Sequence, residues 1–181
     1  MKLKSLLKIL PILCLSCGLN LDASEPKSDT EKAGDLFLIL LPSTAYVSTY
    51  MMDDEKGREE FYKSFLTNAG LTYSLKYTVN EERPDKSDNQ SFPSGHTSAT
   101  FQSAVFIHKR YGLTYAIPAY MVATFTGWSR VDAKKHYTKD VLAGALIGTC
   151  SSLYFTSSYQ NLSIMPIVER DHIGMQLAYK W

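Results

Sequence analysis

The sequence predicts a single, mainly α-helical domain. Three observations predict it: a length of 181 residues, an ordinary balance of apolar (45%) and charged (20%) residues, and apolar side chains that recur at helical spacing along most of the chain. A chain of this length can bury one core, and that spacing is typical of amphipathic helices. Only the last residues change pattern, so we predict a helical bundle followed by a short C-terminal β-hairpin.

The N-terminal end has the pattern of an export signal. Lysines at positions 2, 4 and 8 precede a short apolar run, residues 9–15, which small and polar residues follow. Such a run is too short to be an ordinary membrane-spanning helix. We therefore predict a signal peptide over residues 1–23, a flexible lead-in over residues 24–34 and a periplasmic protein. Lipid attachment at Cys17 and a retained N-terminal anchor helix are the alternatives.

The predicted domain, residues 35–181, contains five helical segments. Pro42 lies in the first, where a break or a kink is expected, and the charge run 53–60 is expected to be a solvated stretch before the second. Cys150, inside an apolar pattern, is expected to be buried. No apolar run reaches the roughly twenty residues of a spanning helix. The segments are 35–50, 61–80, 94–111, 113–128 and 138–155.

The C-terminal tail follows a period of two rather than a helical period. Apolar side chains at 173, 175, 177, 179 and 181 alternate with small or polar ones. Alternation of this kind indicates a strand. Residues 162–168 are the expected partner strand, with a turn at 169–172.

The net charge and the candidate metal-binding residues limit which partners and ligands the sequence predicts. The formal net charge is +1, so no strong field favours nucleic acid as a partner. The sequence has neither the cysteine cluster of a structural metal site nor a carboxylate cluster suited to magnesium.

Three basic residues with long side chains lie near polar turns. Lys76 and Arg83 flank a loop, and Arg130 ends an apolar helix. Phosphate has several peripheral oxygens, which guanidinium groups match in pairs. Cations from separate elements could hold a phosphate for attack. The alternative is that each is an ordinary surface charge, which we favour for Lys76 alone and doubt for Arg130.

The run Pro93-Ser94-Gly95-His96 stands where a loop becomes a helix. Helix N-termini offer free backbone N–H groups to anions, and Gly95 lets a ligand approach the backbone. The Ser94 hydroxyl can donate to a phosphate oxygen, and His96 can protonate a leaving oxygen. The alternative is a plain helix cap at Ser94 beside an exposed histidine.

His136 and Asp140 are spaced i, i+4, which places them on one face of a helical turn. A carboxylate that holds one ring nitrogen fixes the tautomer and leaves the other nitrogen as a nucleophile. The alternative is a helix-start ion pair, which is at least as common for an isolated pair.

Taken together, these residues resemble the three-part signature of the type 2 phosphatidic acid phosphatase superfamily, which includes class A acid phosphatases and vanadium haloperoxidases. The matching positions are Lys76-x6-Arg83-Pro84, then Pro93-Ser94-Gly95-His96, then Ser129-Arg130-x5-His136-x3-Asp140. No specified position departs from the pattern. The resemblance extends from Lys76 to Asp140 and implies the helical bundle of that superfamily; the leader and the tail are not covered.

The resemblance also implies a role for each residue. His136 is the nucleophile that forms a phosphohistidine, Asp140 orients it, and His96 is the general acid and then the base. Phosphate binding is implied for Lys76, Arg83, Ser94, Gly95 and Arg130.

The resemblance therefore implies a phosphatase that needs no metal and no other cofactor. The apolar stretches 36–41, 113–127 and 141–155 favour a membrane-associated enzyme acting on a lipid phosphate, such as phosphatidic acid, phosphatidylglycerophosphate, a polyprenyl diphosphate or lipid A. The alternatives, in order, are a periplasmic acid phosphatase for small soluble esters, a vanadate-dependent haloperoxidase and a binding module without catalysis.

Overall fold

The structure is a computed structural model that describes residues 27–159, 162–169 and 172–179, with side chains described for residues 27–159. The predicted signal peptide lies outside the described residues. Within them the chain forms five helices, which confirm the mainly α-helical class. They are α1 (Asp29–Met51), α2 (Glu55–Val79), α3 (Gly95–Tyr111), α4 (Leu113–Asp132) and α5 (Thr138–Phe155).

Helix α1 begins earlier than the sequence pattern indicates. The Ser28 side chain accepts a hydrogen bond from the Glu31 N–H at 3.1 Å, which caps the helix, and acidic residues in the first turn favour its positive end. The prediction of a lead-in is therefore wrong beyond Ser28. The break expected at Pro42 is also wrong, because α1 continues through it to Met51.

Helix α2 begins inside the charge run rather than after it. The Asp54 carboxylate accepts a hydrogen bond from the Gly57 N–H at 2.8 Å and caps the helix. The same carboxylate binds the buried guanidinium of Arg110 on α3, with Nε at 2.6 Å. Glu60 lies 3.4 Å from that guanidinium. Two carboxylates around one buried cation tie α2 to the end of α3, far along both helices from the motifs.

Helix α3 contacts each of the other four helices and forms the centre of the bundle. Its Phe106 ring meets Phe61 of α2 edge to face, with centroids 5.0 Å apart. Helix α5 approaches α3 closely where Gly144 faces the carbonyl of Ser94, the cap of α3, and Gly148 faces the carbonyl of Ser98; a Cβ at either glycine would collide with these carbonyls. This close contact fixes the start of α5 against the start of α3.

The tail has two strands, β1 (Leu162–Glu169) and β2 (His172–Tyr179), paired antiparallel with Leu162 opposite Tyr179. They lie in the part of the chain for which the hairpin is predicted. Cys150, expected to be buried, is exposed on the outer face of α5. Among the described helices, none combines the length and apolar character needed to cross a membrane.

Candidate active site

The predicted residues lie at helix ends and in the loops that join them. Lys76 is in the last turn of α2, and Arg83 is in the loop to α3. Arg130 is in the last turn of α4, and His136 precedes α5. The Ser94 N–H donates to the Asp140 carbonyl at 3.0 Å, which joins the starts of α3 and α5. The motifs, separate in sequence, therefore meet at one end of the bundle.

His136 is held by a backbone group. Its Nδ1 lies 2.7 Å from the carbonyl oxygen of Ser91 and 3.8 Å from Oδ2 of Asp140. A carbonyl only accepts, so Nδ1 carries the hydrogen and Nε2 keeps a lone pair. The sequence predicts that Asp140 fixes the tautomer; in the structure the carbonyl of Ser91 makes the closer contact with Nδ1.

Asp140 is fully buried and is held from two sides. Its Oδ2 accepts hydrogen bonds from the Ser91 hydroxyl at 2.5 Å and from the Tyr137 N–H at 2.9 Å. Burial raises its pKa, but contacts with His136, Ser91 and Tyr137 lower it overall. Its Oδ1 has no hydrogen-bond partner among the described residues. An ionised carboxylate therefore stands beside the His136 ring with acceptor capacity to spare.

The pKa of His136 is lowered to about 4. Burial is the main cause, Asp140 opposes it, and the charges of Lys76 and Arg83 add to it. The ring is therefore neutral at ordinary pH, as a nucleophile must be.

Lys76 and Arg83 lie close enough to repel each other. Burial and the Arg83 charge lower the pKa of Lys76 to about 8, while its Nζ donates to the Gln90 carbonyl at 2.6 Å. The Arg83 Nε donates to Asp88 at 2.6 Å. Two cations forced together in a partly buried place provide a site for an anion.

The first turn of α3 presents free backbone donors. The Ser94 hydroxyl is fully buried and bonds to Thr97 Oγ1 at 2.9 Å. Its contacts are those of the plain cap, and its predicted donation to phosphate has no support in them. In the part of the chain that the structure describes, the N–H groups of Gly95 and His96 have no partner. These two amides, at the positive end of α3, can bind an anion.

His96 and Arg130 share one carboxylate. Oδ1 of Asp35 lies 3.0 Å from His96 Nε2 and 2.8 Å from Arg130 NH1. Burial lowers the pKa of His96, and Asp35 opposes this while Arg130 and Arg83 reinforce it. Arg83 acts on both histidines, so it links the His96 side of the site to the His136 side.

Sequence reasoning missed Asp35, Ser91 and Asp88. Asp35 looks like an ordinary acidic residue at a helix start, and Ser91 acts largely through its backbone carbonyl, which no motif reveals. Asp88 follows Arg83 by five residues, a short-range pairing that a search for local opposite charges would have found. Among the described side chains, no group of three or more metal-ligand residues is present.

Residues 61–164 match the family model of the PAP2 superfamily. The chain belongs to the PAP2 superfamily. This is the type 2 phosphatidic acid phosphatase superfamily that the motifs resemble, so the predicted membership is confirmed.

Two of the relatives that the chain matches are named for a phosphatase activity. The chain is 29% identical over 169 residues to the lipid A 4'-phosphatase of Helicobacter pylori, a match covering 83% of this chain and 85% of that protein. It is 36% identical over 104 residues to the lipid A 1-phosphatase of Porphyromonas gingivalis, which covers 51% of this chain. The chain accounts for only 23% of the length of the second relative.

The PAP2 fold is also found among solved structures. The crystal structure of LpxE from Aquifex aeolicus aligns with a TM-score of 0.59 and 22% identity, covering 81% of this chain and 92% of that one. This likeness confirms the predicted helical bundle.

Proposed function

We propose that this chain is a phosphatase that hydrolyses a phosphomonoester or diphosphate of a lipid through a phosphohistidine intermediate. The observation that carries the proposal is the neutral His136 ring, held by Ser91 with Nε2 free, among Lys76, Arg83 and His96. A nucleophile among cations is suited to an anionic, electrophilic group.

In the first step Nε2 of His136 attacks phosphorus as the bond to the leaving oxygen breaks. His96 gives a proton to that oxygen, so an alcohol or a phosphate leaves. The His136 ring becomes positively charged, and the buried Asp140 carboxylate stabilises it at a distance of 3.8 Å. In the second step His96 takes a proton from water, whose oxygen bonds to phosphorus and releases inorganic phosphate and neutral His136.

Lys76, Arg83, Arg130 and the amide of Gly95 hold the phosphate in this proposal. Arg130 uses three of its five N–H groups on Asp35, Glu31 and Ser129 in the described structure, so two are left for a phosphate oxygen. Ser94 orders the first turn of α3, in which the amides stand.

Exposed apolar side chains favour a lipid substrate. On α1 they occur at Leu36, Leu40, Val47 and Met51, on α4 at Leu113, Ile117, Met121 and Trp128, and on α5 at Leu142, Leu146 and Leu153. The spacing places each set along one stripe of its helix. Exposed apolar area of this kind marks contact with lipid or with another protein.

Each stripe reaches the site. Leu36 follows Asp35, Trp128 stands two residues before Arg130, and Leu142 stands two residues after Asp140. From Leu36 to Met51 the stripe runs about 22 Å along the helix axis. Acyl chains on these stripes would leave their phosphate at the end of the bundle where the cations are.

The relatives favour lipid A among the candidate lipids. The Helicobacter pylori protein, matched over most of both chains, is named a lipid A 4'-phosphatase. We propose membrane association at the periplasmic face, with residues 1–23 as the export signal and residues from Asp29 onward as part of the domain.

A substrate panel tests the proposal. Purified protein is assayed for phosphate release from lipid A, phosphatidic acid and a polyprenyl diphosphate in mixed micelles, and from glycerol phosphate in solution. We expect the lipids to have the higher kcat/KM and the variant His136→Ala to be inactive on all of them.

Variants of the apolar stripes separate lipid contact from catalysis. Leu142→Gln with Leu146→Gln changes exposed side chains only, so release from glycerol phosphate is expected to be unchanged while kcat/KM on micellar lipid falls. Equal turnover of soluble and lipid esters, unaffected by this double variant, would favour a soluble acid phosphatase instead. Halide oxidation with vanadate and peroxide would favour a haloperoxidase.

A further inference from the structure

Asp35 is an acidic residue outside the motifs that contacts two of their members. Its Oδ1 lies 3.0 Å from His96 Nε2 and 2.8 Å from Arg130 NH1. Its Oδ2 lies 2.7 Å from Lys27 Nζ. The proposed mechanism gives no task to this carboxylate, although it is the described hydrogen-bond partner of the His96 ring.

The surrounding part of α1 is shaped to receive Arg130. The carbonyl of Glu31 accepts a hydrogen bond from Arg130 NH2 at 2.6 Å. At Gly34 an added Cβ would lie 3.1 Å from Cζ of Arg130 and closer still to its NH2, so a larger residue would displace the guanidinium. A backbone acceptor, an absent side chain and a carboxylate therefore fix Arg130, which in turn orients Asp35 toward His96.

The carboxylate of Asp35 is ionised throughout the working range. Burial raises its pKa, but hydrogen bonds from His96 and Lys27 and the charge of Arg130 outweigh this and hold the pKa well below its usual value. An ionised carboxylate only accepts hydrogen bonds, so Nε2 of His96 carries a hydrogen. The proton that His96 gains and loses is then the one on Nδ1.

We propose that Asp35 is the positioning residue for the general acid, holding the Nε2–H of His96 so that Nδ1 exchanges protons with the substrate. This rests on the proposed function. In the first step Nδ1 passes its proton to the leaving oxygen as the P–O bond breaks, and neutral His96 stays bound to Asp35 through Nε2–H. In the second step Nδ1 takes a proton from the attacking water as the P–N bond to His136 breaks.

The charges around His96 show why the protonation of its ring depends on Asp35. Asp35 faces it from α1, with Lys27 beyond; Arg130 faces it from α4, Arg83 from the loop before α3, and His136 from the start of α5. Of the described groups acting on His96, Asp35 is the one that stabilises its positive charge, and both arginines oppose it. Loss of the carboxylate charge therefore removes the protonated form at a lower pH.

The test compares two leaving groups in the purified full chain. Nitrophenolate leaves without a proton, whereas the oxygen of an alkyl alcohol needs one. For Asp35→Asn we expect kcat to fall at least about tenfold more on an alkyl phosphate than on nitrophenyl phosphate, because general acid catalysis contributes about a hundredfold or more. The alkaline limb of kcat on the alkyl ester should move down by about one pH unit.

Two variants separate this role from a structural one. Asp35→Glu keeps the charge and should recover part of the activity on the alkyl ester. Lys76→Met changes a proposed phosphate contact at a residue that does not contact Asp35, and it should affect both esters alike. Equal loss on both esters in Asp35→Asn, with an unmoved pH profile, would overturn the proposal.

Nitrogen-15 NMR of the histidine rings tests the contact between Asp35 and His96 without an activity measurement. His96, assigned by comparison with His96→Gln, should show the Nε2–H tautomer when neutral; the Nδ1–H tautomer would overturn the proposal even if Asp35→Asn failed to fold. If the wild type released phosphate from neither ester, the proposed function would fail, and the tautomer would still settle whether Asp35 holds His96.

Discussion

The Nδ1 atom of His136 lies 2.7 Å from the carbonyl oxygen of Ser91, whereas the nearest carboxylate oxygen of Asp140 is 3.8 Å away. The two residues that hold the ring thus divide the work. Ser91 fixes which nitrogen carries the hydrogen, and Asp140 supplies the charge that balances a positive ring.

Asp140→Asn separates those two tasks. Because Ser91 still accepts from Nδ1, nitrogen-15 NMR should find the His136 tautomer unchanged, while kcat falls steeply through loss of the charge. Ser91→Ala keeps the carbonyl and removes one hydrogen bond to Asp140, so kcat should fall less, by about tenfold, as for a hydrogen bond to a charged group. A tautomer switch in Asp140→Asn would contradict this division.

The low pKa of His136 predicts activity that persists into acid. Its pKa of about 4, lowered from 6.5 by burial, keeps the free enzyme's nucleophile neutral until the pH falls through about 4. After the separately measured titration of the substrate is divided out, the acid limb of kcat/KM should lie near that value. An acid limb near pH 6.5 would show that the His136 ring is not desolvated.

Because the pKa of His136 differs between the folded and the unfolded chain, this residue makes the free energy of unfolding depend on pH. Between pH 6.5 and 4 the unfolded chain binds a proton at this residue and the folded chain does not, so the free energy of unfolding falls as the pH drops. His136→Gln lacks this term. The stability difference between wild type and variant, measured by thermal unfolding, should therefore change across that window.

The lowered pKa of Lys76 predicts how the activity changes at alkaline pH. Burial and Arg83 lower its pKa to about 8, so its charge is present below that pH and lost above it. The ratio of kcat/KM for wild type to that for Lys76→Met cancels every titration that the two proteins share. The ratio should be large and constant below pH 7 and fall toward one above pH 9; a ratio independent of pH would remove Lys76 from phosphate binding.

Gly95→Ala tests whether the phosphate reaches the start of α3. An added Cβ would have its nearest neighbours at 3.8 Å, so the protein alone tolerates it and Tm should not fall. A phosphate oxygen on the Gly95 amide would meet the new methyl group, and KM should rise. The matched control is Gly70→Ala, where nothing lies within 4 Å; equal KM values for both variants would place the phosphate elsewhere.

The sequence predicts the helical class and the site because their signals are local. Thr138–Phe155 was predicted with the bounds that the structure has, since an apolar stretch with a polar start shows both ends. Ser28 and Asp54 cap helices from inside polar stretches, where a cap looks like any other loop residue. Both corrections to helix starts have this cause.

The sequence could not predict contacts between residues that lie far apart along the chain. Asp35 lies 61 positions before His96 and 95 before Arg130, and no helical period or motif relates positions so far apart. The Ser91 carbonyl carries no side-chain signal, and the burial of the Ser94 hydroxyl is not visible in the sequence. The resemblance to the superfamily implied roles for the histidines and for Asp140, but not the contacts that Ser91 and Asp35 make with the two rings.

Trapping the covalent intermediate tests the central claim most directly. A lipid phosphate labelled with phosphorus-32 is mixed with the enzyme for milliseconds and quenched in base, in which a phosphohistidine is stable. We expect label that acid removes and base does not, on the peptide that contains His136, and none in His136→Ala. Rapid turnover of the wild type without bound label, or turnover by His136→Ala at the wild-type rate, would contradict the account.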